Sequence, residues 1–429
     1  MKFTAVGDAL IQRRIHNEFE GFKELTPFIM QGDARFFNLE TTINREGECC
    51  ASAFSGGTYL RANPEVLDDM KKFGFNMTSF NNNHILDFSY HGLECTRTAV
   101  NERGLVHSGT GRNLAEASAP RYLDTKNGRV ALISVNTTFD PSAIAGDQSP
   151  RVPGRPGLNG LRIEKSLQLT KEDLECIKRI AKESNINAAK EISRKEGYLP
   201  DLAEDQATFG DLKCYLGETN KHVMKIHSRD IDRVKKSIYE AKLQADYIMM
   251  SVHCHQTGGT SKENPPEFLR EFAHMCIDEG ANAIVGHGPH LLRPIEVYKD
   301  SPIFYSLGDF ILQLYNIELA PEDFFVKQGL TSASTVHELL KKRSKDFTRG
   351  LMTDKRMFQT VIPYWETEGT KLTKLELLPV ELAMTGNHSQ IGLPRRSEGP
   401  EICEYLRELC KEYGTQIELG KDGKLICKW

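Results

Sequence analysis

Short apolar runs recur along the chain, and six of them break off into polar residues of the kind that ligate metals. Val6-Gly7-Asp8 is the first, then Phe36-Phe37-Asn38-Leu39-Glu40 and Phe80-Asn81-Asn82-Asn83-His84. Ser251-Val252-His253-Cys254-His255, Val285-Gly286-His287-Gly288-Pro289-His290 and Tyr305-Ser306-Leu307-Gly308-Asp309 follow. Between the early runs the spacing turns helical. Residues 64–70 open with Pro in the first turn and stop at Gly74, and 91–103 put Leu93, Ala99 and Val100 on one face before Gly104. With strands expected over 2–6, 75–80 and 130–135, this alternation predicts a layered α/β fold.

The rhythm breaks over about 140–245. A Pro/Gly/Arg loop (149–162) leads to Thr170-Lys171-Glu172-Asp173, a capping-box start for a charged helix, and Ser228 opens a second one. The stretch reads as a mostly helical insertion walling a substrate cleft. Strands are then expected over 247–252, 282–285 and 303–306, with a helix over 266–278. From about 357 to 429 a C-terminal extension holds strand-like runs at 360–364 and 375–380 and an amphipathic helix over 402–413. The whole is predicted to be one domain, 1–429, with the insertion built in.

A chain of 429 residues can bury a large core, and a net charge of −4 without a basic block excludes generic nucleic-acid binding. No signal peptide and no apolar stretch of membrane-spanning length is apparent, and the ten cysteines are scattered without zinc-finger spacing. A cytoplasmic protein with reduced thiols is expected.

Open α/β sheets place their sites beyond the carboxyl ends of their strands, so the six clusters are expected to meet on one rim. Asp8 and Glu40 are candidate carboxylate ligands, although each alone also reads as a turn or ion-pair residue. Three successive asparagines are poor strand formers, so Asn81 to His84 asks for a functional reason. Asn83 can offer an oxygen ligand while His84 acts as an acid, with Asp87 placed to orient His84. His253 and His255 fall on one side of an extended chain, leaving Cys254 as a core thiol. His287 and His290 on a Gly/Pro turn are the most specific signal, since neutral imidazole is the commonest protein metal ligand. Arg151 and Arg155 are candidates to clamp an anionic substrate group, and Asn38 and His253 to touch substrate. Asp309 is the weakest of the set.

These motifs resemble the CapA-like family, named for capsule and poly-γ-glutamate synthesis and similar in turn to the calcineurin-like metallophosphoesterases. Gly7-Asp8, Asn38-Leu39-Glu40, Asn82-Asn83-His84 with Asp87, Gly286-His287-Gly288-Pro289-His290 and Ser306-Leu307-Gly308-Asp309-Phe310 carry the resemblance, with Ile391 to Arg395 and Tyr413-Gly414-Thr415 in the tail. It implies a layered β-sandwich flanked by helices and one or two divalent ions (Zn, Mn or Fe). It also implies Asp8 as first ligand, Glu40 as bridging carboxylate, Asn83 as ligand, His84 as acid, and imidazoles from His255, His287 and His290. Leu10 stands where the phosphoesterase pattern has His, and the bridging position carries Glu where that pattern has Asp. The expected function is a metal-dependent hydrolase acting on a phosphoester or related anionic ester or amide. A non-hydrolytic accessory protein binding a polyglutamate-like chain, and a metal-free acid–base enzyme on a peptide, are the alternatives. The oligomeric state is left open.

Overall fold

The computed structural model describes residues 1–429, apart from the side chain of Asn316. Contacts divide the chain into two units, Met1–Gly160 with Asp232–Trp429, and Leu161–Ile231.

The larger unit is mixed α/β and holds two main sheets. At the centre of the ten-stranded sheet, Lys2–Leu10 runs parallel to Ala34–Leu39 on one side and antiparallel to Gln359–Glu368 on the other. Met77–Ser79 and Val106–Ser108 continue the parallel half. Asp309–Leu312 joins the carboxyl end of the first strand, also in parallel. In the six-stranded sheet, Gly128–Asn136, Tyr247–His253, Ala283–His287 and Ser301–Phe304 are neighbours in parallel register. Parallel strands covered on both faces read as unbroken apolar runs, and all seven residues of Tyr247–His253 are buried.

Side-chain alternation divides the core. Phe3, Ala34 and Phe36 of the first sheet share one apolar cluster with Val130, Leu132, Met249 and Val285 of the second. Phe3 stacks on Tyr247 with ring centroids 4.1 Å apart, and Trp365 Nε1–H donates to the Tyr247 hydroxyl at 3.0 Å. Phe37 and Leu39, one residue out of step, instead join Phe22 and Leu25 of helix Glu20–Ile29 and Leu67 and Met70 of helix Val66–Lys72.

The tail completes the central sheet. Gln359–Glu368 and Lys371–Leu382 form a long hairpin across the runs expected to be strands. Helix Pro400–Cys410 then buries Ile402, Cys403 and Leu406. The closing hairpin of Gln416–Leu419 and Leu425–Lys428 was not anticipated, because each strand is only four residues long.

The expectation of a mostly helical insertion is corrected. Leu161–Ile231 holds a four-stranded sheet of Ile163–Leu169, Gln206–Phe209, Leu212–Leu216 and Lys221–Ile226 as well as helices Lys171–Ser184 and Ala188–Lys195. Leu169, Ala207 and Cys214 share a small apolar cluster with Leu174 of the first helix while their strand neighbours Gln168, Gln206 and Lys213 are polar. A small sheet with one wet face therefore leaves no apolar run in the sequence. The helix start is capped as expected, with the Thr170 side chain accepting from the Asp173 N–H.

One glycine permits the junction beneath the strand ends. A Cβ on Gly7 would lie 1.8 Å from the Gly308 carbonyl oxygen, which accepts the Asp8 N–H at 2.9 Å. Gly7→Ala must push the strand Asp309–Leu312 away from Lys2–Leu10, and we expect a stability loss of about 2 kcal/mol or more. Urea denaturation checks this, and an unshifted midpoint would mean that the two strands separate freely.

Candidate metal centre

The carboxyl ends of strands from both sheets carry the polar clusters. Asp8 and Glu40 are fully buried, as are His253 and His287, and His84 and His290 are nearly so. The Asp8 carboxylate accepts the Asn38 amide at 2.7 Å and the Gly288 N–H at 2.8 Å. Gly288 adopts φ 118, and a side chain there would press on the Cys254 backbone. Its neighbour His290 also has positive φ, at 64, and is held by Nδ1 against Asp309 Oδ1 at 2.9 Å.

Glu40 is the least satisfied group. Neither of its carboxylate oxygens has a hydrogen-bond partner. The Nε2 atoms of His84, His253, His255 and His290 stand 3.7, 3.8, 4.0 and 4.0 Å from its Oε1. These separations exceed hydrogen-bond length, yet two ligands each ~2.1 Å from one cation stand ~3–4 Å apart. Around it, His253 Nε2 lies 2.7 Å from Asn83 Oδ1 and 3.0 Å from His255 Nε2, while His253 Nδ1 lies 2.8 Å from His287 Nδ1. A neutral imidazole has one N–H, so His253 donates along one edge only and offers a lone pair along the other. Three donor sets converge: Asp8 with His253 and His287, Glu40 with His253 and His255, and Asp8 and Glu40 with His290 and Asp309. A divalent cation suits this mixture of carboxylate oxygen and imidazole nitrogen.

Electrostatics point the same way. Burial, followed by the charge of Asp309, pushes Asp8 up to about 7 against the opposing His290, Asn38 and Gly288. Burial, then the charges of Asp8 and Asp309, drive Glu40 well above the usual carboxylate range. Burial holds His287 down at about 3, and burial with neighbouring imidazoles depresses His253 and His255. His290 differs: burial opposes its protonation, but Asp309 and Asp8 outweigh that and raise it. Buried carboxylates of this kind lack the positive charge that would let them stay ionised, and the depressed imidazoles are neutral donors.

The surrounding bonds fix the ring orientations. His84 Nδ1 meets Asp87 Oδ2 at 2.7 Å, and the same carboxylate accepts the Gly56 and Leu60 N–H groups at 3.0 and 2.9 Å. His287 Nε2 pairs with Ser251 Oγ at 2.8 Å. A cavity of about 770 Å³ opens above, with Asn83, His84, His255 and His290 among its lining residues.

The family model of the bacterial capsule synthesis protein PGA_cap matches residues 2–314, the span containing every residue of this centre. The chain belongs to that family. It is 31% identical over 428 residues to the uncharacterized protein y4sH of Sinorhizobium fredii, covering 97% of this chain and 90% of that one. It is 24% identical over 318 residues to the capsule biosynthesis protein CapA of Bacillus anthracis, covering 72% and 59% respectively. A probable polyglutamine synthesis accessory protein of Mycobacterium tuberculosis is 25% identical over 280 residues, covering 65% and 55%.

Not every residue singled out in this PGA_cap chain has the surroundings expected of it. Asn38 and His253, expected at the substrate, are fully buried and do not line the cavity. Asn38 instead orients Asp8, and His253 sits among the candidate ligands. Arg151 and Arg155 are also absent from the cavity lining, and the Arg155 guanidinium donates to the Ile144 carbonyl. The cations that do line the cavity are Lys262, Arg343, Arg349 and Arg356. Arg356 is engaged with Asp354 and Glu263, and Arg343 with Thr58 and the Phe324 ring. No apolar periodicity marks these four, which is why the sequence did not reveal them.

Arg293 was also missed. Fully buried, it donates to the carbonyls of Lys262, Cys254 and Gln256 at 2.9, 3.3 and 2.7 Å, bracing the segment that carries His255. Arg293→Met leaves three carbonyls without a donor, an expected loss of about 3 kcal/mol. Hydrogen exchange should accelerate over 254–262 more than in the central strands. Uniform acceleration would argue against a local bracing role.

Proposed function

We propose that this protein is a metal-dependent hydrolase acting on a phosphoester or a related anionic ester or amide, with the layering of a calcineurin-like metallophosphoesterase. The observation that carries this reading is the unpaired Glu40 carboxylate facing four imidazole nitrogens. Asp8, Glu40, Asn83, His253, His255, His287 and His290 would hold one or two divalent ions, with Asp309 behind His290. Such a cation polarises a substrate oxygen and makes water a competent nucleophile at neutral pH. His84, with Nδ1 fixed by Asp87 and Nε2 directed toward Glu40, would give a proton to the leaving group. Lys262 and Arg349 at the cavity would draw in and balance an anionic substrate.

The names of the relatives favour a second reading, in which the cavity binds a polyglutamate-like or peptide-like chain during capsule polymer assembly without hydrolysing it. Both readings use the same cationic cavity and differ in whether His84 turns over substrate. No described helix is long and apolar enough to cross a membrane.

Metal analysis and turnover of a chromogenic phosphate ester separate these roles. Asp8→Asn and His290→Ala should lower bound manganese or zinc, whereas His84→Ala should retain it and lose about 10²–10⁴-fold in kcat. Equal metal loss in all three variants would remove His84 from the acid role. Stoichiometric metal without turnover of any ester or amide would favour the binding reading.

Metal affinity should also depend on pH. With Asp8 raised to about 7, a proton competes with the cation below that value. His253, His255 and His287 are depressed and already neutral. Affinity should therefore tighten from pH 5 to pH 8 with proton release, measurable by titration calorimetry in buffers of different ionisation enthalpy. Affinity that is flat across this window would contradict carboxylate ligation.

A further inference from the structure

Away from the histidine centre, Cys49, His91 and Cys95 bring their ligand atoms within 4.8 Å of one another. The two cysteines are 46 positions apart in sequence, but Cys49 Sγ and Cys95 Sγ lie 3.7 Å apart. That separation is far beyond a disulfide bond of ~2.05 Å. It matches the ~3.8 Å expected of two thiolates on one tetrahedral zinc at ~2.3 Å each. His91 and Cys95 are four residues apart on helix Ser89–Glu102, so both project from one face. The nearby Glu48 carboxylate is not one of these converging donors and instead accepts the Arg45 N–H at 2.7 Å. Cys49 and Cys95 are half-buried and His91 is exposed, which leaves a path for an ion to enter.

We propose that Cys49, His91 and Cys95, with the fourth position open to water, form a second metal site that takes a soft divalent cation, zinc foremost. The site would fasten the 45–60 loop to helix Ser89–Glu102. Two sulfurs and an imidazole select zinc over the hard cations that carboxylates favour. The loop thus fastened also supplies the N–H groups of Gly56 and Leu60 to Asp87, and the Ser52 N–H donates to the Asp87 carbonyl at 3.0 Å. A cation here would cross-link chain segments that are joined only by hydrogen bonds and apolar contacts in its absence.

Cobalt substitution tests the proposal, because the histidine centre has no thiolate among its converging donors. The reduced full-length protein, stripped with a chelator and reloaded with Co(II), should show an intense thiolate-to-cobalt charge-transfer band. The band should vanish in Cys49→Ser and Cys95→Ser, weaken in His91→Ala, and persist in His253→Ala, which disrupts the histidine centre alone. A measurement free of substitutions accompanies it. Zinc should protect Cys49 and Cys95 from alkylation, with exposed Cys50 and Cys176 as reactive references, and the protection should be lost on chelation. Cobalt binding without the band, a band surviving in both serine variants, or a Cys49–Cys95 disulfide in the isolated protein would each overturn the assignment.

Discussion

Glu40 is buried among four imidazole nitrogens with neither oxygen paired. A carboxylate removed from water without donors carries a penalty of about several kcal/mol. Asp8 and Asp309 lie close enough to add to its repulsion. Such a cluster persists only if the surrounding fold is stable enough to hold it, and two sheets sharing one apolar core supply that stability. Rigid strands deliver the donors, and a cation bound among them would offset the cost of crowding them.

A surrounding shell keeps the donors from rotating away to satisfy one another. Asn38 and the Gly288 N–H fix Asp8, Ser251 fixes His287, Asp309 fixes His290, and Asp87 fixes His84. Each partner constrains a ring or carboxylate at one edge and leaves the other directed inward. Arg293 extends the same logic to the backbone by gathering three carbonyls of the segment around His255 and Lys262. Without it, those three carbonyls would lose the donor that ties them together.

Close packing of backbone makes the convergence possible. At Gly7 the chain passes so near the Gly308 carbonyl that no side chain fits, and Asp8 follows directly. The strand Asp309–Leu312 therefore reaches the first strand from a distant part of the chain, bringing Asp309 into register with Asp8. Residues 301 positions apart in sequence become neighbours through backbone contact rather than through a loop.

The alternation of apolar runs and helical spacing by itself determined the parallel strands and most of their helices, because buried strands and amphipathic faces leave periodic signatures. It also picked out Asp8, Glu40, Asn83, His84, His255, His287 and His290, since polar clusters directly after buried strands have few structural uses. Asp87 was legible for the same reason, three residues from His84. What only the tertiary structure decided lacks periodicity. The full burial of His253 and Asn38, off the lining of the cavity, was one such outcome. Arg293, Lys262 and Arg349 acquire their surroundings from segments remote in sequence. The small sheet within 161–231 was hidden by its wet face, and the pairing of Cys49 with Cys95 by a 46-residue separation. Local patterns record which residues are buried, whereas the partners of a buried polar group depend on how distant strands are brought into register.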